Sequence, residues 1–189
     1  MSAVEVQGYG VSLPPAGNYG FDKAHTVVGF VARHMLTKVR GRFTAYDGEI
    51  RIAERPEDST VRVQIETASI ASDNDQRDGH LRSGDFFDTD RFPTMTFEST
   101  SVRPTGGEGF ELDGTLTIKG IANPVTLQGR FEGWGPGMQE DSTVAAFSAK
   151  TTIDREDWDL TWNMAVETGG FLVSKKIDIE IDAELQLVG

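Results

Sequence analysis

The stretch KIDIEIDAELQLV, residues 176–188, alternates apolar side chains with charged or polar ones over its whole length. Successive side chains of a β-strand point to opposite faces, so this period of two is typical of a strand with one buried and one solvated face. A solvated face indicates an antiparallel sheet. The apolar face carries Ile177, Ile179, Ile181, Ala183, Leu185 and Leu187, and the polar face carries Asp178, Glu180, Asp182, Glu184 and Gln186.

The same alternation recurs in seven further segments, which are separated by short turn-like stretches. Eight long antiparallel strands in one domain must hide their hydrogen-bonding edges, and closure into a barrel does so. We therefore predict an all-β protein built on an eight-stranded antiparallel barrel, with a two-sheet sandwich as the alternative. The seven segments are residues 25–34, 39–52, 61–70, 95–101, 109–120, 124–134 and 146–154.

Small and large residues mix on the faces that are predicted to point inward. An eight-stranded barrel is near the size at which side chains either fill the interior or leave room for one small ligand. Many small inward residues favour a cavity, whereas tight packing, or glycines that mark bends, would leave a filled core. Because the predicted lining is apolar, any ligand is expected to be apolar. The small residues are Ala32, Gly41, Ala45, Gly114, Gly129, Ala149 and Ala183.

One segment, SDNDQRDGHLRSG at residues 72–84, has the pattern of a helix. Asp73 followed by Gln76 has the spacing of a capping box, and Gly84 is placed to end the helix as its C′ residue. The phenylalanine-rich stretch DFFDTDRFP, residues 85–93, follows and leads into the next strand. The sequence thus predicts a short capped helix and a loop between two strands of the barrel.

The excess of acidic residues argues against two classes of binding partner, nucleic acids and anionic lipid surfaces. The chain has 18 basic and 30 acidic residues and a formal net charge of −12. Binding to phosphate backbones needs a dense basic face, so nucleic acid is not expected as a partner. Docking on anionic lipid by charge alone is not expected either. The chain has no cysteine, which excludes disulfides and thiol chemistry.

The N-terminal stretch, residues 1–17, is rich in glycine and proline and is predicted to be a flexible arm ahead of a barrel domain at 18–189. It lacks the basic and apolar regions of a secretory signal, and no stretch of the chain is apolar enough to be an integral membrane segment. These features predict a cytoplasmic protein. A mature exported chain whose signal had been removed would have the same features.

No pattern of catalytic or metal-binding residues stands out. The spacing of His25, His34 and His80 matches no zinc motif, and no nucleophile elbow, P-loop or dinucleotide fingerprint is present. We therefore expect no metal, no cofactor and no catalytic residues. The basic stretch RHMLTKVRGR, residues 33–42, could attract an anionic head group at the barrel rim or be a solvated edge. Trp158 and Trp162 could close one end of the barrel or lie in its core.

Several segments together resemble the YceI-like family of lipocalin-like polyisoprenoid-binding proteins. The most specific is RDGHLRSGDFFDTDRFPTMTF, residues 77–97, and the resemblance runs from about residue 18 to 187. The others are YGFDKAHTVVGFVARHM at 19–35, VRGRFTAYDGEI at 39–50, IETASI at 65–70, LTIKGIANPVTL at 116–127, IDREDWDLTWN at 153–163 and GGFLVSKKIDIEI at 169–181.

The resemblance implies an extended lipocalin-like barrel with a short helix, a lid loop and an apolar pore. Family members bind long isoprenoid or other amphiphilic lipids there, for carriage, storage or sequestration, and are not regarded as enzymes. The ligand is then expected to contact Val28, Phe30, Ala32, Phe43, Val63, Ile65, Met95, Phe97, Leu112, Leu116, Leu127, Phe131, Phe147 and Ala149. Many members are exported, and this chain differs from them in showing no signal sequence.

The same resemblance assigns the helix and the loop to a cover for the barrel. Arg77, Asp78 and His80 are expected to form a polar latch, while Phe86, Phe87 and Phe92 face or plug the cavity. Two alternatives remain open. One is an enzyme acting on a lipid, with His80 and a nearby aspartate as general acid and base. The other is a filled barrel that serves as an interaction module, with a homodimer through an exposed strand as one form of it.

Overall fold

The computed structural model describes residues 12–165 and 172–188. Strands make up most of this part of the chain, and the one α-helix within it is short. The strands are β1 (Gly17–Phe21), β2 (Val27–His34), β3 (Thr37–Phe43), β4 (Tyr46–Ile52), β5 (Thr60–Glu66), β6 (Ile70–Ala71), β7 (Thr94–Gly106), β8 (Gly109–Ile118), β9 (Ile121–Pro136), β10 (Thr143–Asp154) and β11 (Lys176–Val188). The helix is α1 (Asp75–Arg82), and 3-10 turns lie at Pro56–Asp58, Thr67–Ser69 and Arg155–Trp158.

The strands close into a ring in the order β1, β4, β5, β7, β8, β9, β10, β11, and β11 pairs with β1 to complete it. Every pairing is antiparallel, from Asn18 opposite Val188 at the closure to the eleven-residue ladder between β10 and β11. The prediction of an eight-stranded antiparallel barrel is therefore confirmed. Closure removes the long unpaired edges that a sandwich of the same strands would have to protect.

Three strands of the barrel are each broken into two shorter ones. Two of them, 39–52 and 61–70, were predicted as continuous strands, whereas β1 precedes the predicted strand 25–34 and was not predicted. Strands β1 and β2, β3 and β4, and β5 and β6 are consecutive halves, and β11 pairs with β1 along one half and with β2 along the other. The first break is held by hydrogen bonds, because Thr26 Oγ1 donates to Glu184 O at 3.0 Å and accepts from Glu184 N at 3.0 Å. Tyr46 Oη donates to Thr26 O at 2.9 Å.

The barrel has two different ends. At the hairpin end, β7 turns into β8 at residues 106–109 and β9 leads to β10 through residues 137–142. At the helix end, β6 pairs only with Arg42 and Phe43 of β3, and α1 lies between β6 and β7 in the chain. The buried core is correspondingly divided into a cluster around Trp158 at the helix end and a cluster around Tyr19 at the hairpin end.

The described part of the predicted N-terminal arm packs on the barrel. Trp134 Nε1 donates to Ser12 O at 3.1 Å, and Tyr19 Oη donates to Pro15 O at 2.8 Å. Pro14 is buried, and β1 already begins at Gly17. Residues 12–17 thus contact the barrel, and the division into an arm and a barrel domain stays a prediction. Residues 1–11 of the arm, and Gly189, lie outside the described residues.

Candidate ligand-binding cavity

A cavity of about 370 Å³ runs through the interior of the barrel. This volume falls within the ~300–1,000 Å³ that is typical of small-molecule pockets. All fourteen residues that the sequence assigned to ligand contact line this cavity. Their contact with a ligand stays a prediction, but the alternation of apolar and polar residues was sufficient to identify them as inward-facing. The lining is almost wholly apolar, which follows from the inward-facing positions of β2 to β11.

Exposure of the lining changes along the barrel. At the helix end the lining includes buried Ile70, Phe86 and Leu160 beside half-exposed Leu81 and Phe87. At the hairpin end the lining includes half-exposed Phe110 and exposed Glu108. Leu81 of α1 and Phe86 and Phe87 of the following loop enter the lining at the helix end, which is called the closed end below; the hairpin end is called the open end.

Three of the inward glycines do not widen the cavity. A Cβ atom at Gly41 would collide with the ring of Phe30, and one at Gly114 with the ring of Phe97. In the same way, the ring of Phe110 covers Gly129 across the β8–β9 ladder. At each of these positions a phenylalanine ring thus packs directly against the glycine backbone. The small residues at these positions accommodate aromatic ones, which was one of the two readings left open by the sequence.

The residues predicted to form a latch are centred on a buried carboxylate. Asp78, only 6% exposed, accepts from Ser72 N at 2.9 and 3.1 Å and from Ser72 Oγ. Arg77 Nε donates to Ser72 Oγ at 2.7 Å, and its Nη2 donates to Ser72 O at 2.6 Å. Arg82 adds bonds of 2.8 Å to Ala68 O and Ile70 O. These bonds join α1 to β6 and to the residues on either side of β6.

The helix begins one residue later than predicted. Asn74, not Asp73, is the N-cap, and its side chain accepts from Arg77 N at 2.9 Å. Asp73 instead adopts a left-handed backbone with φ of 58°. The helix ends at Arg82 with Ser83 as its C-cap. Both Asp73 and Asn74 are suitable N-cap residues, so residue type alone does not distinguish them.

Two of the three loop phenylalanines face the cavity. Phe86 and Phe87 are both in its lining, and the Phe87 ring packs edge-on against Phe43 with centroids 5.8 Å apart. The expectation that Phe92 also faces the cavity is wrong. Its ring lies 5.3 Å from the Arg91 guanidinium and next to Gly120, and its carbonyl accepts from Thr67 Oγ1 at 2.7 Å. The turn at residues 88–92 therefore rotates this side chain away from the interior.

Both tryptophans of the segment 155–163 belong to the closed end. Trp158 is buried, and its Nε1 donates to Leu116 O at 3.0 Å. Trp162 packs edge-on against His80, with centroids 4.5 Å apart, and at 5.4 Å from Phe86. Trp162 thus contacts α1 and the loop directly, whereas Trp158 is hydrogen-bonded to β8.

His80 has a structural position in the cover. Its Nε2 lies 2.8 Å from Asp85 Oδ2, so a histidine–aspartate pair exists as the enzyme alternative required. His80 is not among the residues that line the cavity, however. The pair can orient the loop, whereas a chain inside the barrel does not contact it.

We expect His80→Ala to lower the free energy of unfolding by about 1–2 kcal/mol, because it removes one hydrogen bond and a ring contact. The measurement is urea denaturation, together with hydrogen exchange of α1, which should become faster. Asp85→Asn is the matched control, since it keeps the ring contacts and changes only the polar partner. Unchanged exchange in α1 would show that His80 does not hold the cover.

Arg155 is the functional candidate that the sequence did not single out. It is 4% exposed and lines the closed end of the cavity. Its Nε donates to Ser174 O at 3.0 Å, its Nη1 donates to Leu160 O, and its guanidinium lies 5.9 Å from the Phe86 ring centre. Burial lowers the pKa of Arg155 from its ordinary value, although the neighbouring Glu156 and Asp154 partly offset this. Arg155 is therefore a buried charged residue in a lining that is otherwise almost wholly apolar.

A family model described as the YceI-like domain matches residues 19–185 of the chain. The chain belongs to the YceI-like family. The UPF0312 protein SAB2563 of Staphylococcus aureus (strain bovine RF122 / ET3-1) is 37% identical over 173 residues, which cover 90% of this chain and 98% of the relative. These findings confirm the resemblance that the sequence segments indicated.

Solved structures share the fold of this YceI-like protein. The YceI protein of Campylobacter jejuni matches with a TM-score of 0.71 and 29% identity, covering 89% of this chain and 96% of that one. A polyisoprenoid binding domain from Saccharophagus degradans matches with a TM-score of 0.63 and 16% identity, covering 90% and 98%. The described residues of this YceI-like chain contain no helix of the length and apolarity that crossing a bilayer requires.

The basic stretch 33–42 of this YceI-like protein lies in the β2–β3 hairpin. Two of its four basic residues have acidic partners from other elements. Arg40 Nη1 lies 3.0 Å from Glu180 Oε2, and Arg42 Nη2 lies 3.7 Å from Asp73 Oδ1. These exposed pairs favour the interpretation of a solvated edge over a head-group site.

A small charge cluster lies at the break between β1 and β2. His25 Nδ1 is 3.1 Å from Asp22 Oδ2 and 3.8 Å from Glu184 Oε1. The three ligand atoms lie within 4.8 Å of one another, but mutual ion pairing accounts for their approach. The hydrogen bond to Asp22, followed by the charges of Asp22 and Glu184, raises the pKa of His25. The same hydrogen bond, followed by that from Ala24 N, lowers the pKa of Asp22.

The raised pKa of His25 predicts a pH dependence at this break. The stabilising contribution is fully present below the ordinary histidine pKa of about 6.5 and is lost as pH rises through the higher folded value. We expect NMR titration of the His25 ring to give a pKa above 6.5 and Asp22→Asn to bring that pKa down. A His25 pKa that is insensitive to Asp22→Asn would contradict the assignment of its cause.

Proposed function

We propose that the protein binds a long apolar chain, that of a polyisoprenoid or a similar amphiphilic lipid, inside the barrel for carriage, storage or sequestration. The observation that carries this proposal is the apolar cavity itself, which extends from Phe110 near the open end to Phe86 at the closed end. Strand β11 has 13 residues, which correspond to roughly 40 Å of extended chain before tilt. A lining that follows strands of this length supports a chain as the ligand rather than a single ring.

The energetics of an apolar lining fit such a ligand. Each buried CH₂ group contributes roughly 0.8 kcal/mol, from which the costs of association and ordering are subtracted. A long chain therefore binds tightly without many polar contacts. The structural relative from Saccharophagus degradans, described as a polyisoprenoid binding domain, supports the same ligand class. Because that likeness concerns the fold, the proposal depends on the cavity of this chain.

The proposed role is binding rather than catalysis. His80 and Asp85, the pair that the enzyme alternative would use, do not line the cavity. A turnover assay with isoprenoid esters and diphosphates separates the alternatives. Product formation that is lost in His80→Ala would support an enzyme.

Native mass spectrometry of the purified protein, followed by organic extraction and lipid identification, tests the proposal. We expect a stoichiometric long-chain species that leaves on extraction and returns when a polyprenyl lipid is added. The same spectra report whether the protein is a monomer or the homodimer that the sequence left open. A mass that stays that of the bare chain after lipid addition would contradict the proposal and favour a filled barrel that serves as an interaction module.

A further inference from the structure

The closed end of the cavity contains a positive charge. Three charged residues belong to the cavity lining, and two of them, Arg51 and Glu108, are exposed at the hairpin end. Among the residues that the structure describes, Arg155 is therefore the one buried charge that the cavity contacts. It is placed there by the register of β10, because inward-facing Thr151 and Ile153 precede it at intervals of two residues.

The hydrogen-bonding capacity of Arg155 is not exhausted by its protein partners. A guanidinium has five N–H donors. Nε and Nη1 donate to the neutral backbone carbonyls of Ser174 and Leu160. Nη2 is buried and has no hydrogen-bond partner within residues 12–165 and 172–188. An unsatisfied buried donor on a charged group is costly unless something in the cavity accepts from it.

The nearest carboxylates are engaged elsewhere. Glu156 lies 2.7 Å from Lys175 Nζ, and Asp154 lies 3.5 Å from Lys176 Nζ while accepting from Glu156 N at 3.1 Å. Neither forms an ion pair with Arg155. In the described part of the chain, no carboxylate lies within ion-pair distance of the guanidinium, and Glu156 and Asp154 act on it only through their charges at longer range. Leaving such a charge unpaired in an apolar site is strongly unfavourable, and an anion that enters the cavity would compensate it.

We propose that Arg155 binds the anionic oxygen head group, a carboxylate or a phosphate, of an amphiphile whose apolar chain occupies the cavity. The inference rests on the proposed function, since it requires a chain in the barrel. It adds the chemistry of the head group and the direction of the chain. The head group lies at the closed helix end, where it accepts from Arg155 Nη2, and the chain extends toward the hairpin end. The basic stretch 33–42 lies at this same end, because Arg33 N donates to Ser174 Oγ and Arg155 Nε donates to Ser174 O. A head group at the hairpin end would give the chain the opposite direction.

Ligands of equal chain length separate the head-group contribution from that of the chain. The probes are hexadecane, hexadecanol, palmitate and hexadecyl phosphate, with dissociation constants measured by displacement of a fluorescent fatty-chain probe. Charge-assisted hydrogen bonds to a buried guanidinium predict about 10- to 100-fold tighter binding of palmitate or hexadecyl phosphate than of hexadecanol. Comparing the affinities of palmitate and hexadecyl phosphate shows whether the site prefers a carboxylate or a phosphate head group.

Arg155→Met removes the charge and keeps an apolar side chain of similar length. It should abolish the preference for anions while hexadecane binding stays within about threefold of the wild type. Arg155→Lys keeps the charge and should retain part of the preference. Equal affinities for palmitate and hexadecanol in the wild type would overturn the head-group inference but leave the proposed function intact. Failure of all four probes to bind would overturn both.

A measurement on the wild-type protein covers the case in which Arg155 variants do not fold. Palmitate labelled with ¹³C at its carboxyl group is titrated in the complex by NMR. Beside a guanidinium, the bound carboxylate should remain ionised down to pH values at or below about 4.3, the ordinary pKa of such a group. In an apolar cavity without that contact, its pKa would be raised. A raised pKa of the bound carboxyl group would overturn the inference.

Discussion

Phe131→Asp is expected to lower lipid loading more than tenfold. Phe131 is 7% exposed, lies on β9 and lines the cavity, with its ring centroid 5.3 Å from that of Phe147. A carboxylate at this position either stays charged in an apolar lining or takes up a proton, and both outcomes disfavour an apolar chain. Loss of the buried ring also lowers the free energy of unfolding by about 3–5 kcal/mol.

Two neighbouring substitutions control for these effects. Phe131→Leu keeps the lining apolar and should retain most of the loading. Arg130→Asp places the same carboxylate one residue away, on the outer face, where the present side chain is exposed beside Glu108 and Glu132. Loading is measured by native mass spectrometry on the folded fraction. Wild-type loading in folded Phe131→Asp would contradict ligand binding in the cavity.

Asp78→Ala has the largest expected effect on the cover. The substitution leaves Ser72 N, a buried donor, without its acceptor, and it removes the carboxylate that fixes Ser72 Oγ for Arg77. We expect a loss of about 2–4 kcal/mol in the free energy of unfolding and a fall in melting temperature of roughly 5–15 °C. Hydrogen exchange of α1 should accelerate more than that of β10 and β11.

Asp75→Ala is the matched control, because Asp75 lies on the same helix but is exposed. It should cost no more than about 1 kcal/mol, the value of a favourable charge near a helix N-terminus. Equal destabilisation by both substitutions would show that helix electrostatics, rather than the bonds to Ser72, hold the cover.

Alternation of apolar and polar residues was sufficient to predict the barrel and the residues that line its cavity. The pattern reports which face of a strand is buried, and this face is the same in a continuous strand and in a broken one. It does not report where a strand bends. The breaks at 22–26 and 67–69 are determined by contacts such as Thr26 with Glu184, which are 158 residues apart. Strand β1 was not predicted: Gly17 fell in the predicted arm, and residues 18–21 fell in the barrel domain but outside every predicted strand.

The cover and the charged group were less accessible to sequence reasoning. Asp73 and Asn74 both suit an N-cap, and Phe92 belongs to the same phenylalanine-rich run as Phe86, although a turn directs it outward. Arg155 did carry a signal. It continues the inward positions of β10 beyond Ile153, so a basic residue on an otherwise apolar face could have been recognised. Its unpartnered nitrogen could not, because that depends on where Ser174 and Leu160 place their carbonyls.

The packing of phenylalanine rings on glycines also limits which substitutions the barrel wall can tolerate. A side chain larger than hydrogen at Gly41, Gly114 or Gly129 displaces the ring of Phe30, Phe97 or Phe110. A smaller residue in place of any of these rings leaves bare backbone and an unfilled space. Substitutions within such a pair are therefore not additive, and each is tolerated best when its partner changes in the opposite sense. At these three pairs of described residues, the glycine and the phenylalanine have to be substituted together.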